Sequence, residues 1–284
     1  MEKSSDWKIT PKVPDFEYKW TPGSDPITRD EVEEFFHSAP IRELKERMCL
    51  IGKKMWTKDF VDGNGGNITI RVGDNLALST PTLISKGFMT PNDICLVNLD
   101  GDQKAGSRPR TSEAKTHLAI MKAVPEAKSC IHAHPPHSTA FAITDTIPPT
   151  GLCSEPDIFL GEVGTVPYAT PGSKEIGDLV AAAAPDHQCI LMQNHGVIVW
   201  GKDVEDAYWK LENLDAFCRT LLLATQHGGT LRRMSPEKIR EIIEIRKVLS
   251  MRDKREDWTD EQLLDYGGFK GAEIFQMREE ESQA

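Results

Sequence analysis

The sequence lacks several features that would assign a protein to a special class. Only 6 of its 284 residues are cysteine, and none forms a C-x-x-C pair, which excludes a disulfide framework and a cysteine zinc knuckle. No apolar run is long enough to cross a bilayer, and no charged-then-apolar leader is present. We therefore expect a globular, cytoplasmic protein.

Clustered positive charge is also lacking. The net charge is -10, and lysine and arginine form no block, which argues against nucleic acid and anionic membranes as partners. A loop of backbone amides can still bind a phosphate whatever the total charge of the chain. Small anionic molecules therefore stay possible as ligands.

What the sequence does contain is apolar periodicity that changes between helical and strand spacing. Helical spacing predicts helices from residue 28, from residue 40, and at 112–124, 174–184, 204–227 and 236–251. Strand spacing predicts a β-hairpin at 67–79 and further strands at 94–99, 128–134, 163–168, 189–193 and 197–200. We expect an N-terminal arm (1–40), one α/β domain with a helix-covered sheet (41–229), and a C-terminal helical extension and tail (230–284).

Histidines lie at the ends of two predicted strands. His132 and His134 are two residues apart, and on a strand such residues project from the same face, so both rings can reach one ion. His195 ends the second strand, and Gly196 follows it where the chain must turn sharply. Three histidines leave a coordination position open, as in catalytic zinc sites. For each ring alone, a hydrogen-bonded core histidine is the ordinary alternative.

A carboxylate opens the helix predicted at 112–124. Thr111 and Ser112 supply hydroxyls there, and Glu113 lies near the unsatisfied amides of the first turn. Ordinary capping explains this pattern as well as a functional role does. His117 lies four residues later on the same helical face, where packing or support of a neighbour suits it better than direct ligation.

Two polar turns come earlier in the chain. Residues 62–67 read Asp-Gly-Asn-Gly-Gly-Asn, a loop that tolerates positive φ and can direct several amides at one anion. Residues 79–82 form a hydroxyl-rich turn. Both also suit plain tight turns, and the first matches neither the dinucleotide-binding nor the P-loop spacing.

Six short motifs, taken in order, resemble the class II aldolase and adducin superfamily, whose members include fuculose-phosphate and rhamnulose-phosphate aldolases and ribulose-phosphate 4-epimerase. The resemblance covers residues 42–228. The motifs are Gly66-Asn67-Ile68-Thr69, Thr80-Pro81-Thr82, Ser112-Glu113 with His117, His132-Ala133-His134 with His137, Pro167-Tyr168-Ala169-Thr170-Pro171-Gly172, and Asn194-His195-Gly196.

The resemblance implies a three-layer α/β/α fold with a largely antiparallel or mixed central sheet. It implies Zn²⁺, or another divalent metal such as Co²⁺ or Mn²⁺, held by His132, His134 and His195. Glu113 would ligate the resting metal and become the catalytic base. The substrate phosphate would be held by residues of the two polar turns and the helix start: Gly66, Asn67, Thr82, Thr111 and Ser112. A homotetramer is the expected assembly.

The implied reaction cleaves a ketose 1-phosphate, such as L-fuculose 1-phosphate or L-rhamnulose 1-phosphate, to dihydroxyacetone phosphate and an aldehyde through a zinc-stabilised enediolate. With glutamate at the position of Glu113 the chain resembles the aldolases of this superfamily, whereas the epimerases have aspartate there. The alternatives are a sugar-phosphate dehydratase, decarboxylase or 4-epimerase and, from another class, a non-catalytic adducin-like interaction domain.

The chain departs from the fuculose-phosphate aldolase pattern at two places. Residues 150–166 contain no tyrosine where those enzymes have a tyrosine acid. Leu83 replaces the glycine that usually follows the phosphate-contacting threonine, although a backbone amide is retained. The proton donor stays open among four residues: Glu155, Asp157, Glu162 and Tyr266.

Overall fold

The computed structural model describes residues 16–228, 231–265 and 274–275. The described chain forms the helices α1 (Arg29–His37), α2 (Ala39–Thr57), α3 (Ala114–Ala123), α4 (Pro136–Ala142), α5 (Ser154–Phe159), α6 (Lys174–Ala183), α7 (Val204–His227), α8 (Pro236–Val248) and α9 (Asp260–Leu263). Its strands are β1 (Asn67–Arg71), β2 (Leu76–Ser79), β3 (Cys95–Asn98), β4 (Gln103–Ala105), β5 (Ser129–Ala133), β6 (Gly164–Val166), β7 (Cys189–Met192), β8 (Gly196–Gly201), β9 (Leu231–Arg232) and β10 (Ile274–Phe275). No described helix has the length and apolar character needed to cross a membrane.

Eight strands form one sheet in the order β4-β3-β2-β1-β5-β8-β7-β6. Neighbouring strands are antiparallel except for β6 and β7. The predicted hairpin is present as β1 and β2, and the predicted mixed, largely antiparallel sheet is confirmed. β5 pairs with β1 on one side and β8 on the other, so the strand predicted to carry two histidines lies in the middle of the sheet.

Helices cover both faces of this sheet. Ile131 and Val199 pack on one face in a core that includes residues of α2 and α7. Cys130 and Ile198, one position along the same strands, pack on the opposite face with residues of α3 and α6. Alternate residues of a strand point to opposite faces, and both sets are apolar here because neither face meets water. The three-layer α/β/α arrangement expected from the sequence is confirmed.

The first helix begins as its sequence predicts. Thr28 accepts a hydrogen bond from the backbone amide of Glu31, and the Glu31 carboxylate accepts from the amide of Thr28, completing a capping box. Burial of Val32 and Phe36 then fixes the helix on α2 and the core. The start of α1 is therefore determined by ordinary local preferences, and its position by apolar burial.

The C-terminal extension is attached through buried charges rather than through an apolar face alone. Arg255 is fully buried, and its Nη1 lies 2.5 Å from Oδ1 of Asp157 in α5. Its Nη2 lies 2.7 Å from Oδ2 of Asp253, whose carboxylate also lies 2.8 Å from Nε of Arg246 in α8. These alternating charges compensate one another where water cannot, so they are mutually dependent.

Replacing Arg255 with methionine is expected to lower the free energy of unfolding by about 3–5 kcal/mol, because the Asp157 carboxylate then stays buried without its cation. Denaturant unfolding of the full chain measures this change. The matched control is Arg240→Met, which removes a largely exposed ion pair with Asp260 and should cost less than about 1 kcal/mol. Equal effects of the two substitutions would contradict the role assigned to the buried pair.

Candidate metal centre and active site

Three imidazole rings converge where β5 ends and β8 begins. The two strands are antiparallel, so His134, which directly follows β5, lies beside the β7–β8 turn that carries His195. One ligating nitrogen of each of His132, His134 and His195 lies within 4.8 Å of the other two. The Nε2 atoms of His132 and His134 are 3.0 Å apart. The structure thus brings together the three histidines that the sequence singled out.

The carboxylate of Glu113 faces the same point. Its Oε2 lies 3.4 Å from Nε2 of His132, and its Oε1 lies 3.5 Å from Nε2 of His195. Glu113 is the N-cap residue of α3, yet its side chain makes no capping hydrogen bond. Instead, Nδ2 of Asn67 donates to Oε2 at 2.7 Å. The capping alternative therefore does not account for this side chain, which is directed at the histidines.

Burial and neighbouring groups set the protonation states of the site. Burial lowers the pKa of His132 to about 3, so its ring is neutral at physiological pH. Burial alone raises the pKa of Glu113, but His132 and the amide of Asn67 outweigh it and hold that pKa below its ordinary value. Burial also lowers the pKa of His195, so neutral imidazoles at His132 and His195 lie beside an ionised carboxylate, which is the state that a cation requires.

The orientation of the His132 ring also fits a divalent metal. Nδ1 of His132 lies 2.9 Å from the carbonyl oxygen of Val197, which only accepts, so Nδ1 carries the proton and Nε2 carries the lone pair. A tetrahedral zinc would hold two such nitrogens about 3.3 Å apart, close to the spacing of His132 and His134. Within residues 16–228 and 231–265 this is the one cluster of three ligating side chains.

The tight turn before β8 depends on two residues in different ways. Asn194 adopts a left-handed conformation with φ of 55°, which asparagine tolerates better than most residues. Gly196 is not in that region. A Cβ at Gly196 would lie 2.6 Å from Cδ2 of His134 and 2.7 Å from the carbonyl oxygen of Ala133. The expectation that Gly196 makes the sharp turn is therefore corrected: Asn194 makes it, and Gly196 leaves room for the histidines.

The residues predicted to hold phosphate lie on three neighbouring segments. Pro81 and Arg110 form an isolated antiparallel bridge, which sets Thr82 beside the Thr111–Ser112 segment. The backbone amide of Thr82 donates to the carbonyl of Pro109, and that of Thr111 donates to Thr80. The side chain of Ser112 is exposed, whereas Thr111 is buried.

The glycine loop approaches the histidines directly. Gly66 has φ of 70°, and a Cβ there would lie 3.0 Å from the carbonyl oxygen of His132. Asn67 follows it and pairs with His132 across β1 and β5. The side-chain amide of Asn67 donates to the Glu113 carboxylate, so Asn67 orients Glu113. The local sequence did not indicate this arrangement.

His117 lies outside the three-ring cluster. It is fully buried, its Nδ1 lies 3.0 Å from the hydroxyl of Thr69, and burial lowers its pKa to about 4. Those contacts agree with the packing or supporting role expected for His117 rather than with ligation. His137 is also engaged elsewhere, because its Nδ1 lies 2.8 Å from Oδ2 of Asp215 in α7.

The four candidates for the proton donor differ in their surroundings. The carboxylate of Asp157 is buried against Arg255. Glu162 pairs with Lys254 of the C-terminal extension at 2.5 Å. Glu155 is exposed at the start of α5, and Tyr266 lies outside the described residues. The two carboxylates held in ion pairs are thus already committed to the attachment of the extension.

One charged residue near the site was missed by the sequence interpretation. The ammonium of Lys86 donates to the carbonyl of Asn64 in the glycine loop at 3.0 Å and to that of Ile84 at 2.7 Å. Its side chain is 1% exposed. Nothing in the local sequence signals this burial, because lysines are mostly exposed and the segment has no clear period.

A family model described as the class II aldolase and adducin N-terminal domain matches residues 46–222. The 3-oxo-tetronate 4-phosphate decarboxylase of Haemophilus influenzae is 29% identical over 202 residues, covering 70% of this chain and 95% of that protein. The L-fuculose phosphate aldolase of Methanocaldococcus jannaschii is 36% identical over 179 residues, covering 63% and 96%.

The similarity extends to solved structures. A solved L-fuculose 1-phosphate aldolase superposes with a TM-score of 0.66 at 25% identity, covering 72% of this chain and 96% of that one. The L-fuculose 1-phosphate aldolase of Glaciozyma antarctica gives 0.64 at 24% identity, covering 78% and 86%. The sequence relatives thus carry two different reaction names, so membership of the family alone does not fix the reaction.

Proposed function

We propose, from the premise that this chain belongs to the class II aldolase and adducin family, that it is a metal-dependent aldolase that cleaves a ketose 1-phosphate. The products would be dihydroxyacetone phosphate and a small aldehyde, and a deoxysugar such as L-fuculose 1-phosphate or L-rhamnulose 1-phosphate would be the substrate. The observation that carries the proposal is the Glu113 carboxylate, ionised and 3.4–3.5 Å from two of the three clustered histidines.

His132, His134 and His195 would hold the metal, with Glu113 as a fourth ligand in the resting state. Once bound, the cation would supply Lewis-acid stabilisation of the charge that develops on the ketose oxygens. Zinc is our first choice, because neutral imidazoles with a carboxylate form a common catalytic zinc set, and Co²⁺ and Mn²⁺ are the alternatives.

Glu113 would take the proton from the C4 hydroxyl as the bond between C3 and C4 breaks. Its carboxylate is suited to this step because it is ionised and held in place by Nδ2 of Asn67. Fixing the carboxylate before the reaction removes the cost of orienting it during the reaction. Asn67 therefore acts as a positioning residue for Glu113.

A second candidate reaction is the decarboxylation of a 3-oxo-acid sugar phosphate. The observation that favours it is the similarity to the Haemophilus influenzae decarboxylase, which extends over 70% of this chain. Loss of carbon dioxide from 3-oxo-tetronate 4-phosphate leaves dihydroxyacetone phosphate after one protonation. Both reactions thus pass through an enediolate of the same triose phosphate and differ in the fragment that departs.

A panel of ketose 1-phosphates and 3-oxo-acid sugar phosphates would separate the two reactions. We expect dihydroxyacetone phosphate, measured by a coupled reductase, to appear with an equal amount of aldehyde from at least one ketose 1-phosphate. Carbon dioxide in place of the aldehyde would establish the decarboxylase. If no member of the panel gives triose phosphate and another reaction is observed, the aldolase proposal is rejected.

Three further assignments belong to this proposal. Gly66, Asn67, Thr82, Thr111 and Ser112 would receive the substrate phosphate. Thr82 and Thr111 would do so through their hydroxyls, because their backbone amides already donate to the carbonyls of Pro109 and Thr80. Residues 41–229 would form the catalytic domain, with residues 1–40 and 230–284 as additions, in a cytoplasmic homotetramer.

A non-catalytic, adducin-like role would instead be indicated by purified protein that contains no metal and takes up neither zinc, cobalt nor manganese.

A further inference from the structure

Lys86 is a buried cation whose hydrogen bonds are incomplete. An ammonium has three N–H donors and no acceptor. Two of them reach the carbonyls of Asn64 and Ile84, and the third has no acceptor among residues 16–228 and 231–265. Within the same residues, no carboxylate lies at ion-pair distance from its Nζ. A charge that is buried in this way is costly unless something compensates it.

The two carbonyls belong to the two loops that the proposed function assigns to the phosphate. Asn64 lies in the glycine loop, two residues before Gly66, and Ile84 lies two residues after Thr82. Because the peptide unit is planar, fixing each carbonyl also fixes the direction of the amide that follows it. One ammonium therefore ties the two loops together at a fixed separation. It orients the Asn64–Gly65 peptide jointly with the hydrogen bond that the Gly65 amide donates to the carbonyl of Asp62.

The surroundings keep this side chain buried and within electrostatic range of Glu113. Burial lowers the pKa of Lys86 to about 8, while the nearby Glu113 carboxylate favours the charged form, so the ammonium is largely protonated at pH 7. On the far side, Gly52 of α2 packs on the Lys86 backbone, where a Cβ would lie 2.8 Å from the Lys86 carbonyl oxygen. The segment has no room to move away from the loops on that side.

An unusual backbone conformation in the same segment agrees with a loop that is held in a fixed position. Leu83 lies between Thr82 and Ile84 with φ of 55°, a left-handed conformation that costs leucine about 1 kcal/mol or more. Its side chain is exposed, so no packing of that side chain accounts for the conformation. The Lys86 hydrogen bond to the next carbonyl, that of Ile84, is a contact that holds the strained segment in place.

We propose that Lys86 is the buried cation of the phosphate site, holding the two phosphate-binding loops together and compensating the negative charge of the phosphate that they receive. The proposal rests on the proposed function only in taking the ligand to be a phosphate, and it does not depend on which bond is cleaved. The phosphate would supply an acceptor for the third N–H, which has none among residues 16–228 and 231–265.

The test compares Lys86→Met with Lys45→Met in the full-length, metal-loaded protein. Lys45 is a matched control because it is also buried, donates to one backbone carbonyl, that of Phe36, at 2.7 Å, and has its pKa lowered by burial to about 8. Titration calorimetry with inorganic phosphate measures the dissociation constant. We expect it to rise about tenfold or more for Lys86→Met, as for removal of a unit charge near a dianion, and to change less than about twofold for Lys45→Met.

Kinetics supply a second readout that loss of structure alone would not produce. On a phosphorylated substrate from the panel, Lys86→Met should raise KM by the same factor as the phosphate dissociation constant and leave kcat within about threefold. Lys86→Arg should restore part of the phosphate affinity, because it returns the charge. If Lys86→Met does not fold, Lys86→Gln replaces it with the same expectations.

The outcomes separate this proposal from the proposed function. Wild-type protein that binds no phosphate, or a Lys86→Met variant that binds it as the wild type does, overturns the role of Lys86. Lys86-dependent phosphate binding without turnover of any panel compound leaves that role intact and rejects the aldolase. Equal weakening by Lys86→Met and Lys45→Met would indicate a general loss of structure and would also overturn the proposal.

Discussion

Replacing Glu113 with glutamine is expected to lower turnover by roughly 10²–10⁴-fold, the usual contribution of a general base, while the bound metal is retained. Glutamine has nearly the same shape, and its side-chain oxygen can still accept from Nδ2 of Asn67. What it loses is the ability to take a proton. Glutamine also keeps an oxygen at the position from which Glu113 would meet the metal, and the three histidines are unchanged, so metal content should fall little. Steady-state kinetics and elemental analysis of the same preparation measure the two quantities.

The matched control for this substitution is Glu155→Gln. Glu155 is an exposed glutamate at the start of α5 and was one of the residues left open as a proton donor. Its substitution should leave turnover within about twofold, as for an ordinary surface change. Full activity of Glu113→Gln would reject Glu113 as the base even if the histidines bind metal. A large loss of turnover in Glu155→Gln alone would instead indicate that Glu155 takes part in proton transfer.

The parts of the site that sequence predicts are those governed by short-range geometry. The H-x-H spacing of His132 and His134 places both rings on one face of a strand, whatever the rest of the fold does. His195 lies in a turn between two apolar strands, and such strands pair with their neighbours in sequence. The convergence of the three rings required only that β5 pair with β8, which an antiparallel sheet readily allows.

The features that sequence reasoning missed depend on partners far along the chain. The helix α4 begins directly after the histidine strand, and Asp215, 77 residues beyond Ser138, accepts hydrogen bonds from the amides of His137 and Ser138 at its start. The helix α5 is held by Arg255, 98 residues away from Asp157. No local spacing carries such information. The burial of Lys86 is of the same kind, because two loops create it together.

Replacing His134 with alanine is expected to abolish both metal binding and activity. Loss of a neighbour that only orients a ligand commonly weakens metal affinity by about 10–100-fold, so loss of a ligand itself should exceed about 100-fold. Turnover should fall at least about a thousandfold, since Lewis-acid stabilisation is worth several kcal/mol. Dialysis of wild-type protein against a chelator should give the same loss of activity, and added Zn²⁺ should restore the wild type but not the variant.

His137 provides the control that decides whether this effect is specific. It lies three residues after His134 in the same histidine-rich motif, but its ring is engaged with Asp215 rather than with the cluster. His137→Ala should therefore keep the metal, and its effect should appear in stability, since Asp215 loses one of its hydrogen-bond donors. Loss of metal from both variants would mean that the substitutions disturb the local structure of the motif rather than remove a single ligand. Loss of metal from His134→Ala alone would show that His134 acts as a ligand and that His137, whose ring faces Asp215, does not.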